Sequence, residues 1–290
     1  MSKFSVAHMT EHSVHVGDRK RTFTLVGDAG PDLVLIFHGS TQTGAGHRKF
    51  TGRAFDRLAE KGALVAYLDG HRHNWNDARR ESFFPARTEN IDDVGFVRAV
   101  IAQLVAGHGV DRRRVFAVGY SNGGQMVMRL IHEVPELIAG AAVFAATMPV
   151  PESFLLPSPA VGPVPMPVLL VHGTADPVVP YQGGTMQRWK QKFFKVGGTA
   201  LSMPATARYF AAHNGIETEP VTTRLPARST TTSVERTEFR EGERPHVVLY
   251  TVHGGGHTVP HPGKASRFFI GRTSADVNAA ELVATEIMDR

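Results

Sequence analysis

The 290-residue chain contains no cysteine, so it has no disulfide, no thiolate metal site and no cysteine nucleophile. Long apolar runs are missing as well. The first twenty residues hold no apolar core of signal-peptide length, and no later stretch approaches the ~20 residues that a membrane helix needs. The chain is therefore expected to be cytoplasmic, or secreted if a leader once preceded it, and to have no membrane partner. Charge of one sign is not concentrated either: the net +5 and pI of 9.6 arise from scattered Lys and Arg. The longest basic run, Arg112-Arg113-Arg114, reads as a solvated turn before a strand, so no nucleic-acid partner is expected. No segment repeats. What is present is a 42% hydrophobic content, enough to bury a large core, and a single domain over residues 1–290 is expected.

The chain is organised around Val115 to Met126, VFAVGYSNGGQM. Val115-Phe116-Ala117-Val118 is short and continuously apolar, as a strand buried on both faces should be. Gln125 to Ile131 follows as a helix that ends near Pro135. Ser121 sits at the junction, where a strand turning directly into a helix needs small neighbours, and Gly119, Gly123 and Gly124 supply them. This is the layout of a nucleophile elbow, with the first helical N–H groups aimed at a developing negative oxygen.

Along the rest of the chain, His12–Val16 and Arg21–Val26 alternate around Gly17-Asp18 and predict a hairpin. Leu33–Phe37 is an apolar strand ending at His38-Gly39-Ser40. A helix is expected over about 48–61, then a strand over 63–68, which completes a βαβ unit. Residues 71–90 form a long loop from the carboxyl end of that strand, the side on which open α/β sheets bind ligands. His71-x-His73 within it lacks a third ligand, so no metal is expected. Asp92 or Asp93 caps a helix carrying Val94, Val97, Ile101 and Leu104. Beyond the elbow come a strand at 138–146, a Pro-rich crossover at 148–167 without regular structure, and a strand at 168–171. A mostly helical stretch over 183–215 and a polar hairpin over 221–240 follow. A strand at 246–252 and a helix from Ser274 to Met288 close the chain.

Three strand ends thus carry Ser121, Asp176 and His257, about 55 and then about 80 residues apart, which is the Ser…Asp…His order of the α/β hydrolases. A serine hydroxyl is a weak nucleophile, so His257 is assigned as its base and Asp176 as the carboxylate that orients the imidazole. Backbone N–H groups of Asn122 and Ser40, with Thr41 as the alternative, are the candidate oxyanion hole. Trp75, Phe83 and Phe84 are candidate substrate contacts. The fold expected is an α/β-hydrolase: a mostly parallel central sheet of about eight strands with helices on both faces.

FHGSTQTG, VGYSNGGQM, VHGTADPVVPY and GGGHTVP together resemble the polyhydroxybutyrate depolymerase and feruloyl esterase branch of the α/β hydrolases, the LpqC-like proteins among them. The resemblance runs from about Arg21 to the C-terminus. It implies ester hydrolysis without a cofactor or metal and Ser121, Asp176 and His257 as the triad. Members of this branch often carry Cys where Ser40 stands and a substrate-lining Trp where Val259 stands, and its secreted members carry a leader. These departures turn the expected substrate from polymer to small or oligomeric esters, hydroxycinnamoyl or hydroxyalkanoate esters leading. Polyhydroxybutyrate depolymerisation proper, acyl transfer by the same triad, and a catalytically silent small-molecule receptor are the competing readings.

Overall fold

A computed structural model describes residues 8–156, 162–185, 191, 195–263, 266–267 and 269–289. Ten strands form one sheet: β1 (Met9–Val16), β2 (Arg19–Val26), β3 (Leu33–Phe37), β4 (Leu64–Leu68), β5 (Val115–Tyr120), β6 (Gly140–Phe144), β7 (Val168–Gly173), β8 (Val221–Arg224), β9 (Ser233–Phe239) and β10 (Val247–His253). Their spatial order is β1-β2-β4-β3-β5-β6-β7-β10-β9-β8. The six inner strands from β4 to β10 are parallel, and antiparallel strands flank them on both edges. The count exceeds the expected eight because the Thr-rich hairpin, β8 and β9, is hydrogen-bonded onto β10 and extends the sheet.

Successive residues of each inner strand serve opposite faces, as the two-residue period requires. Leu33, Leu35 and Phe37 join a core with residues of α4 (Asp93–His108), α5 (Asn122–Glu133) and α6 (Met203–His213). Val34 and Ile36 join the opposite core, with Phe50 of α1 (Gly44–Phe50), Leu58 of α2 (Asp56–Glu60) and Val283 of α7 (Ala279–Val283). A short helix, α3 (Pro85–Thr88), lies in the long loop after β4. Both faces are therefore covered, which explains why β3 to β7 are buried throughout. Among the described residues no helix is long and apolar enough to cross a membrane.

Several element boundaries differ from those expected. The helix expected over 48–61 is two helices, because Gly52 and Arg53 take left-handed φ of 61° and 60° and break it between Phe50 and Asp56. The start of α1 is set by Thr43, whose side chain accepts from the Gly46 N–H. The C-terminal helix begins at Ala279, not Ser274, since Asn278 caps it while Ser274 and Asp276 bond to Thr232. It widens into a π-helical turn over Ala284–Met288. Among the described residues of the stretch over 183–215, α6 is capped by Ser202. Gly184–Thr185 pairs with Thr199–Ala200, and the expectation of helix over 186–190 and 192–194 lies outside the described residues. Among its described residues the Pro-rich crossover is largely irregular, but Pro151–Ser153 forms one 3-10 turn.

Candidate active site

Parallel strands bring their carboxyl ends to one edge, and four of those ends build the site. β5 delivers Ser121, whose φ of 53° and ψ of −117° are strained for a residue with a side chain. Two close approaches hold it there. A Cβ on Gly119 would lie 2.2 Å from the Gly123 carbonyl oxygen, and one on Gly123 would lie 2.1 Å from the Phe37 carbonyl oxygen. Only glycine fits either position. The Ser121 N–H donates to the Phe144 carbonyl at 2.9 Å, tying the elbow to the end of β6.

His257 arrives on the loop after β10. Its N–H donates to Ile270 at 2.6 Å, and its carbonyl accepts from the Tyr120 hydroxyl at 2.7 Å, so the residue before the serine anchors the histidine. Its Nε2 stands 3.0 Å from Ser121 Oγ and its Nδ1 2.7 Å from Asp176 Oδ2. An ionised carboxylate only accepts, so the proton is on Nδ1 and Nε2 is left to accept from the serine.

Asp176, buried in the turn after β7, uses its other oxygen to accept from the Val178 and Val179 N–H groups, each at 2.8 Å. Burial alone would raise this carboxyl. The neighbouring His257 and His172, through charge and hydrogen bonds, outweigh burial and hold it well below the ordinary carboxylate range. His172 Nε2 donates to the Val179 carbonyl at 2.9 Å and lies 3.3 Å from Asp176 Oδ2, so it ties this turn down.

The loop after β3 lies against the elbow: a Cβ on Gly39 would be 3.5 Å from Ser121 Cβ. Within it, the Thr41 N–H donates to the His73 carbonyl at 2.9 Å, which removes Thr41 from the candidate donors. Among the described residues the N–H groups of Ser40 and Asn122 have no acceptor.

The aromatic candidates fall differently. Trp75 does not line an opening: it is fully buried, its indole N–H bonded to the His38 carbonyl at 2.9 Å and its backbone N–H to Asn122 Oδ1 at 2.9 Å. A buried indole needs an acceptor for its N–H, and the loop after β3 supplies it. Phe84 is buried at the start of α3 with the Arg79 guanidinium over its ring, so it secures the loop. Phe83 is 59% exposed and remains available to a ligand. His71 and His73 do not converge: His71 bonds to Glu89 and His73 to the Gln42 carbonyl, and among the described residues no group of side chains could hold a metal.

Asp77 was not singled out by sequence. It is buried and engages Arg79 and Asn122, with Arg87 close by. Of the arginines in the 71–90 loop, which resemble a solvated basic face, Arg79 and Arg87 are its partners, whereas Arg72 pairs with Glu89. Away from the triad lies a cavity of about 870 Å³ between α5, α6 and the Pro-rich crossover, lined by Ile131, His132, Phe154 and Tyr209 and by none of Ser121, Asp176 or His257.

A mostly parallel sheet that presents Ser, Asp and His at the carboxyl ends of β5, β7 and β10 has the α/β-hydrolase fold. The phospholipase/carboxylesterase family model matches residues 70–203, a span that holds Ser121 and Asp176. Over 268 residues the chain is 31% identical to NocK of Nocardia uniformis subsp. tsuyamanensis, an esterase by name, covering 88% of this chain and 75% of that one. It is also 31% identical over 239 residues to feruloyl esterase B of Piromyces equi, covering 80% of this chain but only 40% of that protein's length. The structure is similar to that of an acetyl xylan esterase from Aspergillus awamori, with a TM-score of 0.58 at 17% identity over 87% of this chain and 95% of that one. The protein belongs to the same family of α/β-hydrolase esterases as NocK.

Proposed function

We propose that the protein is a serine carboxylic-ester hydrolase working through an acyl-enzyme. The observation that carries this reading is the hydrogen-bonded chain Ser121–His257–Asp176 on a strained elbow beside two N–H groups without acceptors. His257 Nε2 takes the proton as Ser121 Oγ attacks the ester carbonyl, and the Ser40 and Asn122 N–H groups receive the negative charge on its oxygen. The imidazolium, stabilised by Asp176, then gives that proton to the departing alcohol. Water repeats the sequence on the acyl-enzyme, returning the acid and the free serine. No step calls for a cofactor.

The substrates proposed are small or oligomeric esters, hydroxycinnamoyl and hydroxyalkanoate esters first. A relative named feruloyl esterase B supports the former. Val259, where members of the resembled branch often carry an aromatic residue, is itself buried and offers no stacking surface. A panel of p-nitrophenyl acyl esters, methyl hydroxycinnamates and hydroxybutyrate oligomers, run with and without added alcohol, tests this reading. Turnover of at least one short ester to free acid supports it, and transfer to the alcohol at the expense of acid identifies an acyltransferase. Absence of turnover across the panel overturns the hydrolase.

A further inference from the structure

Trp75 occupies an unusual place: it is fully buried, it belongs to neither the elbow nor the loop after β3, and it is bonded to both. In a trans peptide the carbonyl and the next N–H point in opposite directions, so fixing one fixes the other. The indole N–H holds the His38 carbonyl at 2.9 Å, which sets the direction of the Gly39 N–H, bonded in turn to Gln42 Oε1 at 3.2 Å. His38 Nδ1 donates to the Gly39 carbonyl at 2.7 Å while its Nε2 accepts from the Gly70 N–H at 2.9 Å, and the Gln42 N–H adds a bond to the same Gly39 carbonyl at 3.3 Å. The Ser40 N–H shares its peptide with that carbonyl, so its direction follows from these bonds. On the other side, the Trp75 backbone N–H holds Asn122 Oδ1, and Asn122 Nδ2 donates to the buried Asp77 at 2.5 Å. The ring is wedged against Phe37 and His38, with centroids 5.2 and 5.0 Å away.

We infer that Trp75 is a positioning residue for the oxyanion site: its indole N–H fixes the His38–Gly39 peptide that leads into Ser40, and its backbone N–H fixes the side chain of Asn122. The inference rests on the serine-hydrolase reading above. It assigns Trp75 a role in transition-state binding and none in acyl-group choice.

Trp75→Phe tests it, because the ring is kept against Phe37 while the indole N–H is lost. Loss of a whole oxyanion donor costs about 10²–10³ in kcat, so a misaligned one should lower kcat by about ten- to a hundred-fold with KM within about two-fold. The affinity for a trifluoromethyl ketone, whose serine adduct is tetrahedral, should fall by the same factor as kcat/KM, and relative rates on acetyl and bulky esters should not change. A purely structural role would reduce the folded fraction and leave kcat per folded molecule and ketone affinity unaltered. If Trp75→Phe does not fold, Asn122→Ala keeps the backbone donor, removes the second arm and should show the same signature. Parent-like kcat and ketone affinity in the folded variant overturn the inference. A parent protein that forms no ketone adduct would instead overturn the serine-hydrolase reading beneath it.

Discussion

Replacing Asp176 by Asn changes one atom, and the structure dictates how the amide must sit. The oxygen that accepts from the Val178 and Val179 N–H groups, both at 2.8 Å, has to remain an oxygen, since an NH2 there would face two donors. The amide NH2 is thereby turned toward His257 Nδ1 and toward the His172 N–H. His257 can meet it only by accepting at Nδ1, which moves the ring proton to Nε2, against Ser121 Oγ. A protonated Nε2 cannot take the serine proton. In a comparable triad the wrong tautomer costs about 10⁴ in kcat, or about 5.5 kcal/mol of barrier. The facing NH2 and His172 N–H should also destabilise the fold by about 1–3 kcal/mol. Steady-state hydrolysis of a p-nitrophenyl ester near neutral pH, beside urea unfolding of the same preparation, measures both. A folded Asp176→Asn variant with kcat within ten-fold of the parent would refute the reasoning and require another carboxylate behind His257.

Gly123→Ala should destabilise the protein by about 3 kcal/mol or more, because its Cβ would meet the Phe37 carbonyl oxygen at 2.1 Å and backbone cannot easily yield; an unchanged urea midpoint would contradict the packing described. Stability should also fall steeply in mild acid. Burial keeps His38, His47 and His132 neutral, with pKa values lowered to about 4, about 3 and about 4. Against an unfolded value near 6.5, each contributes stability that is complete above that pH and is lost as pH falls toward the folded value. Between these limits the unfolded chain binds the extra protons, about 1.4 kcal/mol per pH unit for each group and about 4 for the three. Urea unfolding at pH 7, 6 and 5 checks this, and a slope under about 1 kcal/mol per pH unit would show that these imidazoles are not held neutral.

The elbow was legible because its constraints are local: Gly119 and Gly123 are demanded by contacts within a few residues of Ser121 or with the neighbouring strand. The parallel inner strands were legible for a similar reason, as each is buried on both faces and reads as an unbroken apolar run. The break between α1 and α2 was not, since nothing in the apolar pattern marks Arg53 as left-handed. Trp75 stands between the polar residues Asn74 and Asn76, as an exposed loop residue would. Both of these are buried, and the acceptor that makes an interior tryptophan possible, the His38 carbonyl, lies 37 residues away in sequence. Asp77 was hidden in the same way, because its arginine partners look like a solvated face until the loop is folded. Nothing local distinguished Thr41 from Ser40; what separates them is the His73 carbonyl, which accepts from the Thr41 N–H.

The central claim is that Ser121 is the nucleophile, and covalent labelling tests it most directly. Incubation with a fluorophosphonate, followed by intact-mass measurement and peptide mapping, should show one adduct per chain on Ser121, and Ser121→Ala should neither label nor turn over ester. An unlabelled parent protein, an adduct on another residue, or a Ser121→Ala variant that keeps ester turnover within ten-fold of the parent would contradict the account.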